Sequence, residues 1–215
     1  MRGSSAVDVA VVDYGAGNLV SIEQALLAAG ARARRVVAPG DLAGAGLLVV
    51  PGVGAAAPAM DRLFAAGFVD PIRAWIAADR PFLGICLGLQ LLFEGSDEDG
   101  AETLGVLRGR TVRLVDAPTL PHIGWNQVVR TRPHPAFEGI DDGADFYFVH
   151  SYVGAPPDVN DAATLAHTDH GRPFVSAVAR GRMLGVQFHP ERSGADGLRL
   201  IANVVGLAAR ARAAA

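Results

Sequence analysis

Cys86 is the only cysteine in this 215-residue chain, and it stands in the run PFLGICLGLQLLF with Gly84 two residues before it and Gly88 two residues after. Taken alone, a free cysteine is usually a small buried hydrophobe. The flanking glycines change that reading. A G-x-nucleophile-x-G segment between a strand and a helix makes a sharp, strained turn that holds the central side chain out for reaction, and bulkier residues at the glycine positions would strike neighbouring strands. At the start of a helix the thiol would also feel the positive end of the backbone dipole, which favours thiolate and lowers the pKa from the ordinary ~8.5.

A nucleophilic thiol needs a base, and usually a third group that orients the base. QFHPERSG, which follows an apolar run near the C-terminus, carries His189 and Glu191 two residues apart. In extended chain such residues point the same way. The carboxylate can then accept one imidazole N–H, fix the tautomer and stabilise the imidazolium formed when the other ring nitrogen takes a proton. Cys86, His189 and Glu191 are therefore the candidate triad. Acyl transfer also requires donors for a developing oxyanion. The backbone N–H of Leu87, just after the nucleophile, is one candidate. The loop Pro51-Gly52-Val53-Gly54 is the other, because its glycines let backbone amides approach a ligand closely or change conformation.

Alternating elements must present these groups. Val7–Asp13 is a short apolar run ending at YGAGN, and Leu19–Ala29 has helical spacing with Gly30 placed to stop it. Short strands are expected at Arg34–Val37, Leu47–Val50 and Pro81–Ile85, with an alanine-rich, helix-compatible stretch after Gly54 and a helix over Pro71–Ala78. Such alternation implies an α/β fold with a mostly parallel central sheet flanked by helices. The second half instead shows closely spaced β-like runs at Thr111–Val115, Val128–Thr131, Phe146–Val149, Val175–Ala179 and Met183–Phe188, which predicts additional antiparallel or mixed strands. A helix from Gly197 to about Ala209 closes the chain. Both halves of the triad then fall at C-terminal strand ends, where open α/β sheets form their ligand crevice. One domain over residues 1–215 is expected, with residues 1–5 as disordered chain or an expression remnant.

Composition narrows the remaining classes. Half of the residues are hydrophobic, 19% are charged and the net charge is -3, the balance of an ordinary globular protein. The arginines are scattered, and the one close group, Arg32, Arg34 and Arg35, reads as a solvated edge strand rather than a nucleic-acid surface. Leu42–Met60 carries no charge and approaches the length of a membrane span, but Pro51, Pro58 and four glycines break it into strand, loop and helix start. The N-terminus lacks the apolar region of a secretory signal. The expectations are a cytoplasmic location, no membrane and no nucleic acid. The chain has no lysine and hence no P-loop, and His122, His134, His150, His167 and His170 lack metal-ligand spacing. No cofactor and no metal are expected, and each histidine reads as a surface or hydrogen-bonded residue. Asp97, Glu98 and Asp99 read as a solvated turn.

PGVG, GICLGLQLL and QFHPE, in this order and spacing, resemble the triad-type (class I) glutamine amidotransferases over nearly the whole chain. YGAGNLVSI, PHIGWN, FYFVHSY and HPERSG are similar, more narrowly, to the glutaminase subunits of imidazole glycerol phosphate synthase. The resemblance implies that Cys86 attacks the glutamine carboxamide, His189 shuttles protons and Glu191 orients His189, giving a glutamyl thioester and then glutamate. It puts Gly52, Gly54, Leu87, Gln90, Ser151 and Tyr152 at oxyanion and glutamine-binding positions. It also implies a heterodimer with a (βα)₈-barrel cyclase subunit, which receives the ammonia and makes imidazole glycerol phosphate and an aminoimidazole carboxamide ribotide in histidine biosynthesis. One departure is Arg192, where the family pattern usually has lysine. Charge is kept, but a planar fork replaces a point charge, so any pairing with a cyclase carboxylate would have different geometry.

The triad alone does not say where ammonia goes. A glutaminase serving another acceptor, a stand-alone cysteine peptidase or esterase-like hydrolase, and a silent binding subunit are the competing readings. YGAGN, PHIGWN and FYFVHSY weigh against the first, autonomous activity on peptides would mark the second, and the intact triad weighs against the third. Weak basal activity is expected, as follows if Gly52–Gly54 rests with an N–H turned away until a partner biases it.

Overall fold

A computed structural model describes residues 6–158 and 161–213, and the expectation for residues 1–5 lies outside the described residues. The strands are β1 (Asp8–Val12), β2 (Arg32–Val36), β3 (Leu47–Gly52), β4 (Phe82–Cys86), β5 (Gly95–Ser96), β6 (Arg110–Arg113), β7 (His122–Arg130), β8 (Ala144–His150), β9 (Tyr152–Ala155), β10 (Thr164–Asp169), β11 (Pro173–Arg180) and β12 (Met183–Val186). The α-helices are α1 (Leu19–Ala28), α2 (Ala56–Ala65), α3 (Val69–Ala77), α4 (Leu87–Gln90) and α5 (Gly194–Ala213).

The central strands β1, β3 and β4 are apolar apart from Asp8 at the start of β1, because both of their faces are covered. Val9 and Val11 of β1, Leu47 and Val49 of β3, and Leu83 and Ile85 of β4 point to one face, where Ile22 and Leu26 of α1 and Leu200, Ile201 and Val204 of α5 pack. Ala10 and Val12, Leu48 and Val50, and Phe82 point to the other face, against Leu63 of α2 and Ile72 and Trp75 of α3. Fully burying each large side chain contributes about 1.5–3 kcal/mol. α1 starts at Asn18, whose side-chain oxygen accepts from Ser21 N, and stops where Gly30 takes φ 79° and Ala31 N donates back to Leu26 O.

The large sheet has the order β2-β1-β3-β4-β12-β11-β10-β7-β8. Its first five strands are parallel and the remaining four join antiparallel. A small sheet, β5-β6-β9, lies beside it. This is the expected α/β arrangement with mixed strands added in the second half. β2 is an edge strand, as its arginines indicated: Arg32 pairs with Asp8 at 2.7 Å and Arg35 with Glu23 at 2.8 Å. The charge-free Leu42–Met60 stretch is divided between β3 and α2, and among the described residues no helix is long and apolar enough to cross a membrane.

Three expectations need correction. β7 begins at His122 rather than Val128, and β9 and β10 occupy segments read as loops. The helix after Cys86 is the single turn α4. So short a helix has little macrodipole, and any electrostatic help to the thiol comes from the unpaired N–H groups at its start.

Candidate active site

The elbow is imposed by sterics. Cys86 ends β4 with φ 53° and ψ −109°, a conformation that a side chain adopts only when its surroundings enforce it. A Cβ at Gly84 would lie 2.6 Å from Gly88 O, and one at Gly88 would overlap Val50 O. Only glycine at both positions lets the turn close against β3. Gly52 has the same role one strand over, since a Cβ there would overlap the Tyr14 hydroxyl and press on Leu87. Tyr14 donates to Pro51 O at 2.8 Å and fastens the start of the glycine loop.

His189 and Glu191 follow β12, the parallel neighbour of β4, so nucleophile and base leave adjacent strands at the same end. The segment is fastened through its backbone to β8. His189 N donates to Tyr147 O at 2.8 Å, Tyr147 N donates to Ser193 Oγ at 2.9 Å, and that hydroxyl donates to His189 O at 2.6 Å. Glu191 Oε1 lies 2.9 Å from His189 Nδ1, with the Glu191 side chain only 1% exposed. Burial by itself would lower the His189 pKa. The neighbouring Cys86 and Glu191 outweigh it and raise the value to about 10, which favours the imidazolium.

A crevice of about 310 Å³ opens over these groups. Cys86, His189, Glu191, Leu87, Gln90, Ser151, Tyr152 and Gly54 all line it. Gly52 does not; it sits beneath the wall, under Leu87 and Tyr14. Leu87 begins α4, so its N–H has no intrahelical partner and is free for an oxyanion. Larger cavities, of about 580, 530, 430 and 420 Å³, lie elsewhere, without a cysteine among their lining residues. Among the described residues no group of three or more histidine, cysteine and acidic side chains could hold a metal ion.

Two residues to which the sequence attached no role belong to this site. Gln187, wholly buried, donates from Nε2 to Cys86 Sγ at 3.7 Å and accepts from Gln90 Nε2 at 3.1 Å. Its place in QFHPE was visible, but the side-chain direction depends on how β12 packs. Glu98 is exposed, as the solvated-turn reading has it, and it also lines the crevice, where desolvation and then the Asp99 charge raise its pKa. Its neighbours match the earlier reading: Asp97 pairs with Arg110 and Asp99 accepts from Ala57 N. Nothing local distinguishes the three.

The family model for class-I glutamine amidotransferases matches residues 10–205. An imidazole glycerol phosphate synthase subunit HisH from Symbiobacterium thermophilum is 48% identical over 198 residues, covering 91% of this chain and 92% of its own. Subunits of the same name from Syntrophotalea carbinolica and a Synechococcus strain are 45% and 46% identical, covering 91% and 95% of this chain and 98% and 96% of their own. Among solved structures, PurLQS from Thermotoga maritima superposes with a TM-score of 0.73 at 17% identity, covering 94% of this chain and 99% of its own, a likeness of fold. With a nucleophile elbow and a histidine–carboxylate pair at one crevice, and relatives this similar over nearly their whole length, the chain belongs to the class-I glutamine amidotransferases, within the HisH group of imidazole glycerol phosphate synthase subunits.

Proposed function

We propose that this crevice hydrolyses glutamine to glutamate and ammonia by a Cys86–His189–Glu191 mechanism, and that the ammonia passes to a (βα)₈-barrel cyclase subunit making imidazole glycerol phosphate and aminoimidazole carboxamide ribotide. The observation that carries the reading is the strained Cys86 elbow opening into the same crevice as His189, which Glu191 holds at 2.9 Å. Cys86 Sγ attacks the carboxamide carbon, and the oxyanion is received by Leu87 N–H and an amide of the Gly52–Gly54 loop. His189, as imidazolium, protonates the departing nitrogen. Ammonia leaves and a glutamyl thioester remains. His189, now neutral, takes a proton from water, which attacks the thioester and releases glutamate and the thiolate. Glu191 keeps the Nδ1–H tautomer throughout. Gln90, Ser151 and Tyr152 form the wall for the amino-acid end of the substrate, and the Glu98 carboxylate suits its ammonium.

The partner reading draws support from the surface beside the crevice. Ile123 and Trp125 of β7 are 59% and 57% exposed, Trp125 meets Tyr147 edge-on, and the Arg192 guanidinium lies 4.2 Å above the Tyr147 ring. Large exposed apolar side chains grouped in this way mark docking faces. A cytoplasmic setting suits a lone catalytic thiol, which stays reduced there. The test is glutamate release from glutamine by the chain alone, and with the cyclase and its nucleotide ligand, beside a Cys86→Ala control. Weak basal turnover, stimulation by that cyclase and loss in the control are expected. Activity that survives Cys86→Ala refutes the mechanism, and Cys86-dependent activity that the cyclase leaves unchanged refutes the partner.

A further inference from the structure

From His150, which lines the crevice beside Ser151 and Tyr152, a chain of polar side chains that the mechanism does not use runs inward. His150 Nδ1 is 3.2 Å from Tyr152 O, His150 Nε2 is 3.0 Å from His122 Nδ1, and His122 Nε2 is 3.2 Å from Asn126 Nδ2. Asn126 Nδ2 also donates to Asp169 O at 2.8 Å, while its Oδ1 accepts from Gln127 N at 2.8 Å, which fixes the orientation of the amide. Both histidines are buried, at 3% and 6% exposure.

The proton positions follow by elimination. A carbonyl oxygen can only accept, so His150 carries its proton on Nδ1 and gives it to Tyr152 O. If His150 is neutral, its Nε2 is an acceptor, which requires His122 to carry its proton on Nδ1 as well. His122 Nε2 is then an acceptor, and the second Asn126 N–H is available to fill it. Every group in the chain is satisfied in this direction, and adding a proton to either ring would set two donors against each other. His122 is further confined between the His170 ring, at 4.0 Å, and the Phe148 ring, at 5.0 Å. His170 donates from Nε2 to Thr119 O. The end of the chain, Tyr152 O, also receives Gln90 Nε2 at 2.8 Å.

We propose that His122 and His150, aligned by Asn126, are positioning residues of the glutamine site: a one-way hydrogen-bond chain of two neutral Nδ1–H imidazoles that saturates the Tyr152 carbonyl and so holds Ser151 and Tyr152 in register with Gln90. The chain rests on the glutaminase reading for its purpose but not for its chemistry. It acts on substrate binding rather than on the nucleophile, because none of its members is hydrogen-bonded to Cys86.

Two measurements on the full-length protein test it. Nitrogen-15 correlation spectra of labelled histidine are expected to show His122 and His150 as neutral Nδ1–H tautomers at pH 7, the form that free imidazole side chains do not favour. An Nε2–H or cationic form at either position overturns the chain whether or not glutamine is the substrate. In kinetics with the cyclase present, His122→Phe, which keeps the stacked ring and removes both nitrogens, is expected to raise the glutamine KM about tenfold with kcat within about twofold, the pattern of lost uniform binding. His122→Asn, whose amide restores a donor toward His150, is expected to recover most of that loss. Equal KM values for wild type and His122→Phe, or equal defects in the two variants, refute the positioning role. Should His122→Phe fail to fold, Asn126→Asp applies the same test, because it replaces the donor facing His122 Nε2 by an acceptor and is expected to raise KM; an unchanged KM refutes the proposal. A wild-type protein that shows the expected tautomers but releases no glutamate would leave the chain standing and remove the glutaminase reading.

Discussion

Replacing Glu191 by glutamine removes a charge from the hydrogen bond that orients His189 while keeping its shape. Glu191 Oε1 accepts from His189 Nδ1 at 2.9 Å, its side chain is 1% exposed, and Oε2 is buried without a partner. Little solvent reaches the pair, so the full difference between a charge-assisted and a neutral hydrogen bond should appear, about 1–1.5 kcal/mol. If the imidazolium is developed at the rate-limiting step, that becomes a fall in kcat of about 5- to 13-fold. The same interaction contributes to raising His189 to about 10, so its loss moves the alkaline limb of the pH–rate profile to lower pH, by about one unit. The sign is fixed: a carboxylate favours the protonated ring, and without it the ring releases its proton sooner. The assay is glutamate release at saturating glutamine from pH 6 to 10, with a thermal melt to confirm folding and iodoacetamide labelling to confirm that Cys86 still reacts. A folded Glu191→Gln protein with kcat within twofold of wild type and an unmoved alkaline limb would refute the assignment of Glu191.

Glu98→Gln is expected to raise the glutamine KM about 5- to 10-fold at unchanged kcat, since the ammonium it faces is not altered by the reaction; an unchanged KM removes Glu98 from the binding wall. Gly88→Ala puts a methyl group into Val50 O and should destabilise the fold by about 3 kcal/mol, roughly 6–12 °C in Tm. An unshifted melt would contradict the steric account of the elbow. Arg192→Ala should weaken the cyclase complex about 3- to 10-fold through loss of the guanidinium stacked on Tyr147, and unchanged affinity and activation would show that the position takes no part in docking. Burial chiefly lowers His122 and His150 to about 4 and about 3. Below pH ~6.5 an unfolded chain therefore binds protons that the folded chain refuses, and stability present above that pH declines as pH falls toward 4. Urea midpoints at pH 7 and pH 5 measure the slope, which His122→Phe should flatten.

What could be read from sequence was local. The elbow glycines, the H-x-E spacing and the apolar runs of β1, β3 and β4 each state their structure within a few residues, because a strand covered on both faces can hardly be anything but continuous apolar sequence. β7 and β10 were illegible for the opposite reason. Polar and apolar residues are mixed along both strands, so HIGWNQ and TLAHTD lack the clean alternation that marks a half-buried strand. The histidine pair was out of reach because His122 and His150 meet only through the β7–β8 register, 28 residues apart. Glu98 carries the same charge as Asp97 and Asp99 and is longer by one methylene, which says nothing of which of the three lines the crevice.

β12 is the last strand to be synthesised, yet it lies between β4 and β11 in the sheet. Until Met183–Val186 has left the ribosome, the parallel and antiparallel strands among the described residues have no backbone ladder joining them, and each half ends in an unpaired edge. The nucleophile is laid down 101 residues before Gln187, the first side chain from the far segment to reach its sulfur. The order of synthesis therefore makes chemistry the final event of folding. A chain interrupted before β12 keeps its cysteine but holds no base beside it, and it exposes two sticky sheet edges where the finished molecule has a continuous ladder.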